Sequence, residues 1–171
     1  IKVNPKHSNC YLSIGQIYKY QAQYDEAIKW YKKGMEADPK DASCYRELGE
    51  AYGDMRQYDE AIKWYKKGIK VNPKDSDCYA GIGNIYKNKD NIEKALIYIK
   101  KAIVLDPRGR LGFQRNIFDG SILRKYNKIV VKFLKELTKN NSNAPLDIKD
   151  LSSRLNNKKN IREEIKNWII F

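Results

Sequence analysis

The sequence predicts an all-α solenoid of stacked helix pairs, and three observations carry that expectation. Gln23 to Gly34 recurs letter for letter as Gln57 to Gly68, an offset of 34 residues. Self-similarity at a fixed period of this size marks a repeat array in which each unit is one supersecondary element. Within a copy, apolar residues such as Tyr45, Leu48, Tyr52 and Met55 recur at three- and four-residue spacing, the pattern of an amphipathic helix. Pro39, Pro73 and Pro107 share the same offset and punctuate the helices, since the residue before a proline is pushed out of helical geometry.

Each copy reads as helix, turn, helix. The first helix starts after Pro39-Lys40-Asp41 or Pro73-Lys74-Asp75. There the aspartate can cap free backbone N–H groups and its charge suits the positive helix end. The second helix opens with Asp25-Glu26 or Asp59-Glu60. Asp25 with Lys29, and Asp59 with Lys63, are expected as i,i+4 pairs in the favoured orientation. Gly15, Gly49 and Gly83, with Ala27, Ala61 and Ala95, are small where two helices must approach closely. One helix pair cannot bury its own apolar face, so stacked neighbours bury it jointly.

These residues carry a resemblance. Tyr11-x-x-Ile14-Gly15-x-x-Tyr18, Ala27-x-x-x-Tyr31 and Pro39 form one copy. Tyr45-x-x-Leu48-Gly49-x-x-Tyr52, Ala61-x-x-x-Tyr65 and Pro73 form the next. Tyr79-x-x-Ile82-Gly83-x-x-Tyr86, Ala95-x-x-x-Ile99 and Pro107 form the third. The spacing resembles the tetratricopeptide repeat (TPR) pattern of 34 residues. The resemblance implies a right-handed superhelical solenoid with repeats at 8–41, 42–75 and 76–109. Residues 1–7 would be the tail of a preceding repeat, because Ile1 to Lys6 copies Ile69 to Lys74; the expectation is a fragment of a longer array. Residues 110–171 would be a basic helical extension, with Ser121 to Lys139 as capping helix and shorter helices near Leu146–Leu155 and Asn160–Phe171.

Composition bounds the function. The 171 residues are 32 % charged and 42 % hydrophobic, with no apolar run near the roughly 20 residues of a membrane span. His7 is the sole histidine, which argues against a His-based metal site or a Ser-His-Asp triad. No Gly-rich phosphate loop, Cys-x-x-Cys or HExxH motif occurs, so the expectation is a non-enzyme without cofactor or metal. Cys10, Cys44 and Cys78 share one repeat place. They read as small buried side chains, too far apart for disulfides at helix-packing distances, and suit a reducing, cytoplasmic setting.

Net charge is +13. Residues 1–109 hold 20 basic and 15 acidic residues, net +5, and residues 110–171 hold 14 and 6, net +8. Lys29, Lys32, Lys33, Lys63, Lys66, Lys67, Lys100 and Lys101 form a ladder on the second helices. It reads as a solvated face or as a strip for RNA or an acidic partner. Trp30 and Trp64 beside it read as packed between helices or as exposed. Ten of the 13 tyrosines occupy repeat places, so core packing accounts for them without a base-stacking platform.

The resemblance implies a protein-interaction scaffold. Its partner, a peptide or helix, would lie on the concave side lined by the first helices, at places that fall here on Asn9, Leu12, Gln16, Arg46, Glu50, Asn84 and Lys87. The chaperone-binding subclass clamps a C-terminal carboxylate with Lys, Asn and Arg at places that fall on Leu12, Gln16, Glu47, Asp77 and Gly81, and none matches. Chaperone tails are therefore not expected as ligands. The alternatives are a nucleic-acid-associated protein using its basic surfaces, a regulatory or targeting module of a larger enzyme, and self-association into a homo-oligomer.

Overall fold

The computed structural model describes residues 8–106, together with Lys132, which is helical and exposed. Six α-helices account for almost all of residues 8–106: α1 Ser8–Tyr20, α2 Tyr24–Ala37, α3 Ala42–Asp54, α4 Tyr58–Val71, α5 Ser76–Asn88 and α6 Ile92–Leu105. No strand occurs among the described residues. The chain divides into two compact units, Ile1–Ile85 and Tyr86–Phe171. The expected helices at 121–139, 146–155 and 160–171, and the repeat tail at 1–7, lie outside the described residues.

Helix starts follow local chemistry. Asp41 accepts the backbone N–H of Ser43 at 2.9 Å and Asp75 that of Cys78 at 3.1 Å, so orphan donors of the first turn are satisfied. Gln23 and Gln57 make no side-chain cap, and the acidic pairs Asp25-Glu26 and Asp59-Glu60 oppose the positive helix end there instead. In α6 the same place is Asn91, whose shorter side chain accepts the N–H of Lys94 at 3.2 Å. Beside the expected i,i+4 places, Lys29 bonds Glu26 and Lys63 bonds Glu60, both i,i+3, and the charge of Asp25 also acts on Lys29. A glutamate one carbon longer than aspartate reaches the lysine from the adjacent place.

The turn inside each helix pair closes the same way three times. Ala22, Arg56 and Asp90 sit at φ 57°, 59° and 57°. The N–H of the next residue returns to the carbonyl of Tyr18, Tyr52 or Tyr86 at 2.8–2.9 Å, a left-handed helix closure of Schellman type. None of the three is glycine, although glycine is the residue this conformation favours.

In the first unit the core centres on Ala27, Ile28, Tyr31, Leu48 and Ala51, with Leu12, Tyr18, Tyr52 and Trp64 packed against it. Burying Leu48 completely contributes roughly 1.5–3 kcal/mol. Small residues permit the close approaches. A Cβ at Gly15 would lie 2.4 Å from the Tyr31 ring, and one at Gly49 2.7 Å from the Tyr65 ring. Gly34 and Gly68 face the sulfurs of Cys44 and Cys78 across the next helix. Those two cysteines are buried, but Cys10 is exposed, which corrects the uniform burial expected of the three. Cys10 lies on the first described helix, and no described helix before it supplies the counterpart of Gly34.

Of the repeat tyrosines, Tyr31, Tyr65 and Tyr79 are buried and the others half-buried. Trp64 stacks on Tyr52 and Trp30 on Tyr11, at 6.5 and 6.0 Å between ring centroids. Both indoles are half-buried, and the Trp64 N–H is enclosed without a partner. In the second unit, Ile92, Ala95, Leu96, Ile99, Ala102 and Ile103 of α6 are buried, and Tyr86 stacks on Tyr98 at 5.6 Å. Among the described residues no helix is long and apolar enough to cross a membrane.

Candidate functional site

The polar face shared by α1, α3 and the start of α5 is the candidate site in the first unit. Its centre is Glu47, a carboxylate only 5 % exposed. A buried charge persists only when paired and hydrogen-bonded, and Glu47 has three donors. Lys19 Nζ lies 2.6 Å from Oε2, Gln16 Nε2 donates to Oε1 at 3.2 Å, and the Tyr31 hydroxyl donates to Oε2 at 3.3 Å. Lys19 also reaches Glu50 at 2.7 Å, so one ammonium on α1 ties down two carboxylates on α3.

A second cluster follows the same plan. Arg46 Nη1 lies 3.4 Å from Asp75 and 3.7 Å from Asp77. One cation again serves two carboxylates, from α3 to the entrance of α5. Burial by itself disfavours the Lys19 ammonium, but the hydrogen bonds and charges of Glu47 and Glu50 outweigh it and hold its pKa above the ordinary lysine value. Arg46 is raised likewise, by Asp75 and then Asp77 against its own burial. Desolvation, and after it the charge of Glu47, pushes the Tyr31 hydroxyl well above the usual phenol value. Burial pushes the Cys44 thiol up to about 12, with Asp41 adding to it.

Of the residues expected from the sequence, three take part in these pairings. Gln16, Arg46 and Glu50 are half-buried and engaged within the protein. Leu12 packs against the core, and Asn9 is exposed. Asn84 is half-buried, with its Oδ1 enclosed and without a hydrogen-bond donor. Lys87 is half-buried in the second unit. Four partners escaped the selection: Glu47, Lys19, Asp75 and Asp77. The repeat gave little signal for them, since Gly53, Gly81 and Ser43 stand at the counterpart places of Lys19, Glu47 and Asp77, and pairing across 28–31 residues is decided by stacking, not by local spacing.

Apart from the half-buried Lys100, the lysine ladder is exposed but partly occupied. Lys33 and Lys67 lie over the indoles of Trp30 and Trp64, at 4.4 and 3.8 Å from the ring centroids, a cation–π arrangement. Lys29 and Lys63 are paired with glutamates. No group of histidine, cysteine or acidic residues fit to hold a metal occurs among the described residues.

Successive helical hairpins that bury one another's faces define a helical repeat solenoid. Family comparisons match a TPR repeat over residues 15–55 and a tetratricopeptide repeat over 42–75 and again over 64–97. The chain is a tetratricopeptide-repeat protein over that span. Among solved structures it is similar to MamA, at 26 % identity and a TM-score of 0.55, covering 60 % of each chain; it thus spans about 60 % of MamA's length. It is also similar to the first TPR of Spaghetti (RPAP3) bound to the HSP90 peptide SRMEEVD, at 22 % identity and a TM-score of 0.61, covering 76 % of this chain and 98 % of that one. The Arabidopsis OM64 TPR domain matches at 16 % and 0.60, covering 67 % and 97 %. The latter two likenesses concern the fold. No curated protein matches.

Proposed function

We propose that the chain is a non-catalytic protein-interaction scaffold that holds a partner peptide or helix on the polar face of its first helices. The observation that carries this is Asn84, whose buried Oδ1 has no donor within the protein. A buried acceptor left unsatisfied costs about 1–3 kcal/mol, and a partner that uncovers this oxygen, which is closed off in the free chain, and gives it an N–H would recover it. The ion pairs of Lys19 and Arg46 tie α1 to α3 and α3 to the start of α5, so the face is already formed before a partner arrives. Peptide binding by a similar TPR domain, the one bound to the HSP90 peptide, supports the same use of the fold.

An acidic chaperone tail is not the ligand we propose. The places that would clamp its carboxylate are Leu12, Gln16, Glu47, Asp77 and Gly81, which offer two carboxylates and no cation. The test is an affinity capture from source lysate, with and without nuclease, comparing the natural chain with Asn84→Ala. A protein captured after nuclease and lost with Asn84→Ala supports the scaffold. Capture of nucleic acid alone, unaffected by Asn84→Ala, would transfer the function to the lysine ladder.

A further inference from the structure

The three first helices carry one pattern, and only two of them bury it. Cys44, Glu47, Leu48 and Ala51 of α3 are buried, as are Cys78, Ile82 and Ile85 of α5. These places recur at i, i+3, i+4 and i+7, so they form one face of a helix. On α1 the same face is Cys10, Ser13, Ile14 and Ile17. Cys10 and Ser13 are exposed, Ile14 is half-buried and Ile17 is 56 % exposed. The residue types are those of a buried face, yet the face is open.

The two closed faces show what fits. Each meets the C-terminal half of the second helix before it. A Cβ at Gly34 would lie 2.8 Å from the Cys44 sulfur, and one at Gly68 2.9 Å from that of Cys78. The Tyr31 hydroxyl reaches Glu47, and the Tyr65 ring lies against Gly81. The complement is thus a helix ending in Tyr-x-x-Gly, with the glycine ten residues ahead of the cysteine. Ser13 stands at the place of Gly81 and is small. Its hydroxyl already donates to the Asn9 carbonyl at 3.0 Å, so covering it strands no donor.

Among the described residues, a second copy of the chain has no such helix to lend. Tyr31 and Gly34 of α2, Tyr65 and Gly68 of α4, and Ile99 and Ala102 at the same places of α6 are all buried already. The linking sequence for a covering helix, by contrast, stands directly ahead of α1. Ile1 to Lys6 repeats Ile69 to Lys74, the stretch that leads from Gly68 toward α5. In that register the covering glycine falls at the place before Ile1.

We infer that the open face of α1 seats a further helix pair of the chain's own kind, joined through residues 1–6, whose closing glycine covers the Cys10 sulfur and whose tyrosine packs on Ser13. The inference stands independently of the scaffold reading. It makes Cys10 an interface residue and continues the row of first helices beyond α1.

The test compares the chain with an extended form in which a copy of residues 35–68, one period of 34, is placed directly before Ile1. Alkylation of the Cys10 peptide by iodoacetamide is followed by mass spectrometry, and circular dichroism reads the helix content of the added pair. In the extended form Cys10 should label about tenfold more slowly or less, because a buried thiol reacts only through local opening. Gly68→Leu in the added copy alone should restore fast labelling, since the larger side chain blocks the seat. Ile17→Lys is the second variant: at an exposed place it should leave the melt of the natural chain unchanged, yet restore fast labelling in the extended form. An added pair that fails to fold, or fast Cys10 labelling beside a folded one, would overturn the inference. Protection that survives both variants would do so as well, because it would not come from this face. Slow labelling in the natural chain that quickens on dilution would also overturn it, by showing that a second copy covers the face.

Discussion

The hydroxyl of Tyr31 donates to the carboxylate of Glu47 at 3.3 Å, 16 residues further along the chain. One repeat later, the counterpart Tyr65 meets Gly81 instead, where a Cβ would lie 2.4 Å from the ring carbon that bears the hydroxyl. The same interface place is thus polar between α2 and α3 and closely packed between α4 and α5. The two solutions make different demands on their residues.

At the polar interface, Glu47→Ala leaves Lys19 with Glu50 alone and the buried Tyr31 hydroxyl without this acceptor. The expected cost is about 2–3 kcal/mol, read as a lowered urea midpoint. Glu47→Gln keeps an acceptor and should cost less. Equal midpoints for Glu47→Ala and the natural chain would mean that the network contributes nothing to stacking.

At the packed places the sign is set by volume. Gly49→Ala puts a methyl 2.7 Å from a ring carbon of the buried Tyr65. Overpacking of this kind costs about 1–3 kcal/mol. Gly53, whose nearest side-chain atom from a Cβ would be 4.0 Å away, should accept alanine without loss. A thermal melt of both variants separates close approach from a general intolerance of glycine replacement.

The left-handed turn predicts a gain. Arg56 holds φ 59°, a conformation costing a non-glycine residue about 1–2 kcal/mol. Glycine relieves that strain and gives back about 0.4–1 kcal/mol through its freer unfolded chain. Arg56→Gly should therefore raise stability by about 0.5 kcal/mol. A loss in calorimetry would show that the Arg56 side chain contributes more than its backbone costs.

Alkali should destabilise the protein. Lys19 holds its proton more tightly in the folded state than in the unfolded one, so its contribution is complete below about pH 10.4 and is lost as pH rises through the higher folded value. Tyr31, Tyr65, Cys44 and Cys78 are also held protonated by burial. The unfolded chain releases those protons first, from about pH 8.5 for the thiols and about pH 10 for the phenols. All five act in one direction, so the melting temperature should fall steadily from about pH 8.5 to 11. A flat profile over that window would mean these groups titrate alike folded and unfolded.

Thiol labelling resolves the repeat position of each cysteine. Cys10 is exposed, while Cys44 and Cys78 are buried. At pH 8 the folded chain should react rapidly at one thiol and at the other two only with unfolding, as mass spectrometry would show. Rapid labelling of all three would mean that Gly34 and Gly68 do not seal the sulfurs.

The sequence by itself determined the architecture: the helix pairs, their period, the caps at Asp41 and Asp75, and the small residues at Gly15 and Gly49. These follow from interactions within a few residues, or from a pattern repeated so often that any one copy reports the others. The tertiary structure decided the pairing and the exposure. Lys19 finds Glu47 and Glu50 because α1 lies beside α3, and no spacing within either helix encodes that choice. Cys10 and Cys44 occupy one repeat place, yet they differ in burial because only Cys44 has a described helix stacked before it.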